Sequence, residues 1–376
     1  WDMVVLFIII KALQGAVYMK NISEIDANFK IETSLNVKGI GFFDIQSAPF
    51  KVYGVFKEGG VYRRMPEKAA AGVSGGVLAL HANNAGGRVR FKTDSPYVAV
   101  KAVYAGVGKM AHFAISGSAG LDLYFTDNDG KEVYKSTFIP PFDVKEGFEG
   151  IADFGCKKMR QITVNMPTYS TLKELYIGLD ENSVTAPADD YKIKKPIVYY
   201  GSSITQGGCV SRPGNTYQAR ISRRLNADYI NLGFAGNARG EDSMADYIKD
   251  LEMSAFVYDY DHNAPSAEHL LNTHERFFKR IREKNPTLPV VMMSAPVFLP
   301  DDNWNTRREI IKGTYNNAVS AGDKNVYFID GRELMAAAGN DGTVDNCHPN
   351  DLGFYSMAEK LGGVLEKVFA EQGLKR

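Results

Sequence analysis

Four short segments in the second half of this chain hold side chains able to attack, protonate or polarise a carbonyl group. Gly201-Ser202-Ser203-Ile204-Thr205-Gln206-Gly207-Gly208 places serine hydroxyls on a glycine-flanked turn, exposed beside backbone N–H groups. The segment is not G-x-S-x-G, so the nucleophile elbow of the α/β-hydrolases is not the device. Gly233-Phe234-Ala235-Gly236-Asn237 and Asp259-Tyr260-Asp261-His262-Asn263-Ala264-Pro265 are two further polar turns. Asp345-Asn346-Cys347-His348-Pro349 sets a carboxylate three residues before an imidazole. A neutral serine is a weak nucleophile and needs an adjacent base. A histidine is the side chain suited to take its proton near neutrality, and a carboxylate can orient that histidine.

These turns need elements to hold them, and the chain has two textures. From about Phe50 to Gly178 it reads as short strands with glycine-rich turns: Arg88–Lys92, Tyr97–Tyr104, Leu121–Thr126 and Ile162–Met166. Asp129-Gly130 is a hairpin signal between Leu121–Thr126 and Glu132–Tyr134. No long helical period interrupts them, so an all-β, jelly-roll-like sandwich is expected over 19–180. Asp180–Lys195 is polar, and 181–195 reads as a linker. Residues 196–376 then alternate. Strands are expected at Pro196–Tyr200, Tyr229–Gly233, Ala255–Tyr260, Pro289–Ser294 and Val326–Asp330. Helices are expected at Thr216–Asn226, Asp242–Asp250, Ser266–Lys284, Arg307–Ser320 and Asn350–Phe369. This order predicts an α/β domain with a parallel sheet flanked by helices, and each candidate turn falls at a strand exit or just before the last helix.

With Ser203, Gly236, Asn263 and Asp345…His348 in this order, the chain resembles the SGNH (GDSL-like) hydrolases over roughly residues 196–370. Gly120-Leu121-Asp122-Leu123-Tyr124 is similar to the G-x-D-L-Y signature of the β-domains that precede some of them, and Ser211-Arg212-Pro213-Gly214 matches the same subgroup. The resemblance implies a flavodoxin-like hydrolase domain and a two-domain esterase. It makes Ser203 the nucleophile, His348 the base and Asp345 its orienting acid. The N–H groups of Ser203 and Gly236 and the amide of Asn263 become the oxyanion donors. Gly236 is expected to be glycine so that its backbone can approach the substrate. One departure stands out: Ser202 occupies the place of the usual Asp. The resemblance also implies an O-acetylated carbohydrate as substrate, by analogy of architecture. A lipid, acyl-ester or thioester hydrolase is the alternative, and an inactive glycan-binding protein is the reading from another class.

The remaining candidates have plainer readings. Arg212, in the loop after the nucleophile, is a possible substrate contact or an ordinary structural arginine. His262 is a possible substrate contact, with a surface or structural place the simpler reading. His81 and His112 read as structural. His269 and His274 are five residues apart and do not share a helical face, so no metal site is expected. Leu121, Leu123 and Phe125 alternate with Asp122, Tyr124 and Thr126, which reads as a strand with one buried face.

The totals agree with an enzyme of two domains. The chain has 376 residues, 44% hydrophobic and 23% charged. Lysine and arginine number 44 against 44 acidic residues, which argues against nucleic acid or a membrane surface as partner. The expected partner is a small-molecule or oligosaccharide ester, with no metal or organic cofactor. The three cysteines, Cys156, Cys209 and Cys347, form no C-x-x-C and read as free thiols in a reducing, cytoplasmic setting. The apolar run Met3–Ile10 is too short to span a bilayer, and 1–18 reads as a non-native or signal-like leader.

Overall fold

Apolar residues at every second position give the first half two antiparallel sheets. Val89 and Phe91, Val98 and Val100, Leu121 and Leu123, Ile162 and Val164, and Leu175 and Ile177 all enter one core between them. This computed structural model describes residues 31–373, so the expected leader at 1–18 lies outside the described residues. One sheet has the order Ile40–Asp44, Thr171–Asp180, Tyr97–Gly106, Gly147–Asp153. The other runs Thr185–Pro187, Arg88–Thr93, Arg160–Asn165, Leu121–Thr126, Glu132–Phe138, with Lys51–Tyr53 also on Arg88–Thr93. The expected hairpin is present. Gly130 takes φ 78°, and the Asp127 carboxylate accepts from the N–H groups of Asp129 and Lys131.

Three expectations for this half are corrected. The stretch 181–195 is not a free linker. Thr185–Pro187 adds an edge strand beside Arg88–Thr93, and the first strand of the next domain already begins at Ile193. Pro187 is tolerated there because it closes a short edge strand. Second, the Leu121–Thr126 strand has two buried faces: Asp122 and Tyr124 are buried too, as are Arg88, Arg90 and Asn165 on neighbouring strands. That polar face packs on the second domain. Third, two short helices, Glu67–Val73 and Gly75–Leu80, interrupt the strands. Met65, Ala70 and Val77 belong to the core of the second domain rather than to the sandwich.

The second half is a five-stranded parallel sheet in the order Ala227–Gly233, Ile193–Gly201, Ala255–Asp259, Val290–Met293, Val326–Ile329. Numbered along the chain this is 2-1-3-4-5, the flavodoxin-like order. Strand residues alternate between two apolar cores. Tyr199, Val257 and Val291 meet the helices Tyr217–Leu225 and Asp351–Glu371 on one face. Val198, Phe256 and Met292 meet Asp242–Lys249, Ala267–Lys284 and Asp302–Ser320 on the other. The last of these starts five residues before the expected Arg307, because the Asp301 side chain accepts from the Trp304 N–H and caps it. Among the described residues, no helix is long and apolar enough to cross a membrane.

Candidate active site

The chain leaves the strand Ile193–Gly201 in a sharp turn and enters one helical turn, Ser203–Gln206. Ser202 is fully buried, and its hydroxyl accepts from the Ile204 N–H at 3.1 Å. It is the N-cap of that turn, a task Ser and Asp share, which accounts for the departure at this position. Ser203 therefore stands at the first helical position, where its N–H has no intrahelical acceptor.

Asp345 and His348 form their own small unit ahead of the last helix. One carboxylate oxygen of Asp345 accepts from the backbone N–H groups of Cys347 (3.1 Å) and His348 (2.7 Å), while the other lies 2.8 Å from His348 Nδ1. Asn346 turns the chain with φ 63°. Partial burial pushes the Asp345 carboxyl up, but the donated N–H groups and the His348 ring outweigh it and hold it at about 2. With Nδ1–H directed to Asp345, Nε2 keeps the lone pair, and Ser203 Oγ is 2.9 Å from it. Residues 145 positions apart thus meet in one hydrogen-bonded line.

The loop after Ala227–Gly233 is anchored from several sides. The Ala235 N–H donates to Gln206 Oε1, and the Phe234 carbonyl accepts from Asn237 N, Ala238 N and Asn263 Nδ2. Asn263, on the short helix Asp261–Asn263, thereby uses one amide hydrogen and keeps a second. Gly236 is exposed with φ 69°, and nothing lies within 4 Å of where a Cβ would sit. Its left-handed backbone independently favours glycine, beside the expected need for the backbone to come close to a substrate. Beneath this loop Arg64 is buried and donates to the carbonyls of Leu80, Asn83, Asn231 and Gly233, with its guanidinium over the Phe234 ring.

The two candidate substrate contacts differ in placement. Arg212 is committed to a junction between the domains. Its guanidinium donates to Asp122 at 2.9 Å and to the Tyr124 hydroxyl, and it stacks on Tyr134. Asp122 also accepts from Gly214 N and Asn165 Nδ2, both at 2.8 Å. The Gly-Leu-Asp-Leu-Tyr strand is thus a receptor for the Arg212-Pro213-Gly214 turn. His262 lies beside the Asp345–His348 segment, 3.9 Å from Cys347 Sγ and packed on Trp304. Among the described residues its Nε2 is buried and meets no hydrogen-bond partner. Burial first, then the nearby His348 and Arg307, push its pKa down to about 4, so the ring is neutral at pH 7.

The β-domain forms one wall of the site, which sequence reasoning missed. The Tyr169 hydroxyl donates to the Ser203 carbonyl at 3.2 Å, and Ser116 Oγ donates to Ser211 O at 2.6 Å. His112, expected as structural, is exposed, and its ring centroid is 5.5 Å from that of His348. Cys209 is buried beside them with φ 70°. The chain's path through 107–119 brings His112 and Ser116 here, and no local pattern marks it. His274 is buried against Tyr258 and bonded to Thr314, well apart from His269, which is on the Arg239 carbonyl.

Residues 194–366 match the family of GDSL-like lipases and acylhydrolases, and residues 40–185 match the GxDLY domain, the N-terminus of SGNH-hydrolase-type esterases. A Bacteroides ovatus protein of the GDSL-like lipase type is 28% identical, over 88% of this chain and 98% of that one, with a TM-score of 0.79. The salicylyl-acyltransferase SsfX3 of a tetracycline biosynthetic pathway is 22% identical over 90% and 99%, with a TM-score of 0.70. The acetyl xylan esterase Est2A of Butyrivibrio proteoclasticus is 14% identical over 89% and 99%, with a TM-score of 0.53. The last two likenesses are of fold. No curated protein matches the chain.

Proposed function

Because the chain joins a GDSL-like lipase/acylhydrolase domain to the N-terminal domain of SGNH-type esterases and is therefore an esterase or acylhydrolase, we propose that it cleaves carboxylic esters through Ser203, His348 and Asp345, with O-acetyl groups on a carbohydrate as its substrates. The observation that carries the mechanism is the line Ser203 Oγ to His348 Nε2 at 2.9 Å and His348 Nδ1 to Asp345 at 2.8 Å.

Ser203 Oγ attacks the ester carbonyl while its proton passes to His348 Nε2. The imidazolium so formed stays paired with Asp345, which remains ionised. Negative charge collects on the former carbonyl oxygen, and the N–H groups of Ser203 and Gly236 with the second amide hydrogen of Asn263 receive it. His348 returns the proton to the leaving alcohol, and an acyl-serine remains. Water repeats the sequence and releases the acid. The carbohydrate is the finer part of the proposal. It is supported by the pairing of a β-sandwich with this hydrolase fold, an arrangement shared with an acetyl xylan esterase.

Hydrolysis of 4-nitrophenyl acetate by the intact chain beside Ser203→Ala tests the mechanism. The variant is expected to lose at least about a thousandfold in kcat. Equal turnover would remove Ser203 as nucleophile. Acetate release from acetylated xylo- and manno-oligosaccharides, set against long-chain acyl esters, tests the substrate. A preference for the long chains would favour a lipid-ester hydrolase. Glycan binding with no turnover of any ester would favour a binding protein.

A further inference from the structure

Three soft or borderline donors converge at the seam between the domains. His112 comes from the β-domain loop, Cys209 from the turn after the nucleophile, and His348 from the segment before the last helix. One donor atom from each can be chosen so that all three lie within 4.8 Å of one another. Around tetrahedral Zn2+, with Zn–N about 2.0–2.1 Å and Zn–S about 2.3 Å, two imidazole nitrogens and one thiolate stand roughly 3.3–3.6 Å apart. The set has to close by about an ångström, and His112, whose exposed side chain sits on the turn Met110–Phe113, is the member that can rotate to do so. We propose that His112, Cys209 and His348 bind a thiophilic divalent cation such as Zn2+, and that occupancy switches hydrolysis off.

The inhibition follows from the nitrogen that the cation must use. His348 Nδ1 is held by Asp345, so Nε2 is the donor left, and it is the atom facing Ser203 Oγ. A carboxylate on the far nitrogen of a metal-bound imidazole is the usual outer-shell support. The Asp345–His348 pair thus offers a cation the same lone pair that it offers the serine proton, and both cannot have it. Cys209 binds as thiolate, its proton leaving to solvent, and the fourth position is open to water.

Binding stands apart from the catalytic reading, whereas inhibition rests on His348 being the base. The two are therefore measured separately on the full chain after removal of metal with EDTA. Titration with Co2+ is expected to raise a thiolate-to-cobalt charge-transfer band that Cys209→Ala abolishes and His112→Ala shifts to higher concentration. Zn2+ is expected to stop 4-nitrophenyl acetate hydrolysis, and EDTA to restore it. With inhibition scaled to each protein's own metal-free rate, His112→Ala is expected to need about tenfold more Zn2+ or more for half-inhibition. A band that survives Cys209→Ala, or no band at all, overturns the site. Binding without inhibition overturns the switch. Equal Zn2+ sensitivity in His112→Ala, whose exposed side chain makes misfolding no explanation, removes the β-domain from it.

Discussion

Asp259 sits under the Ser202–Gln206 turn, and its acid is unusual. Its backbone carbonyl accepts from Ser202 N, one carboxyl oxygen is 3.3 Å from Thr205 Oγ1, and the other has no partner among the described residues. Burial, then the neighbouring Asp261, raises its pKa from 3.8 to about 7. Folding therefore takes up a proton here between those values. The contribution to stability is full below pH about 4 and is lost as pH rises through about 7. Asp259→Asn is expected to match the parent in melting temperature at pH about 4 and to exceed it increasingly up to pH 8; a constant difference across that range would refute the assignment. Gly236→Ala is expected to cost about 1–2 kcal/mol through its positive φ and to lower kcat by displacing the N–H. Asn263→Ala is expected to lower kcat by about 10²–10³ at little change in KM. The triad candidates could be read from the chain because acyl transfer restricts residue types severely and the Asp345–His348 spacing is local. His112 could not, since its place depends on where a loop from another domain ends.

At the scale of elements, the loop 233–240 is held like a shelf. Gln206, Arg64 and Asn263 grip its near end, and the short helix Gly75–Leu80 presses on its far end. A Cβ on Gly76 would sit 1.8 Å from Asn237 Oδ1, beside Gly236. Gly76→Ala is accordingly expected to reduce kcat by about tenfold, less than outright loss of an oxyanion donor, while Ser203 still reacts with a fluorophosphonate probe. Unchanged kcat would mean that the shelf does not need this support. Most strands and long helices of the second half were legible because their periods persist over enough residues. The helices Glu67–Val73 and Gly75–Leu80 were not, as seven and six residues hold too few turns to show a period.

For the molecule as a whole, the contact between domains is built from charges on a sheet face that sequence alternation marks as the outer one. Arg88 reaches Asp228 and the Tyr229 carbonyl, and Asp122 receives Arg212. Removing one member of a buried pair leaves the other uncompensated, at a cost of about 3–5 kcal/mol. Arg212→Ala is expected to lose roughly 3 kcal/mol in urea denaturation with KM for 4-nitrophenyl acetate unchanged. A raised KM at unchanged stability would return Arg212 to the substrate. This arrangement was illegible because the partners stand about ninety residues or more apart, with no periodicity linking them.

Arg64, Met65 and Val77 are made early and completed late. They leave the ribosome well before the strands Ala227–Gly233 and Ala255–Asp259, whose carbonyls and side chains surround them. At about 5–20 residues per second, the nascent first half waits on the order of ten to forty seconds with a buried-type arginine and an apolar helix face uncovered. During synthesis these groups thus stand uncovered, and open to unwanted contacts, for an interval that the speed of translation sets.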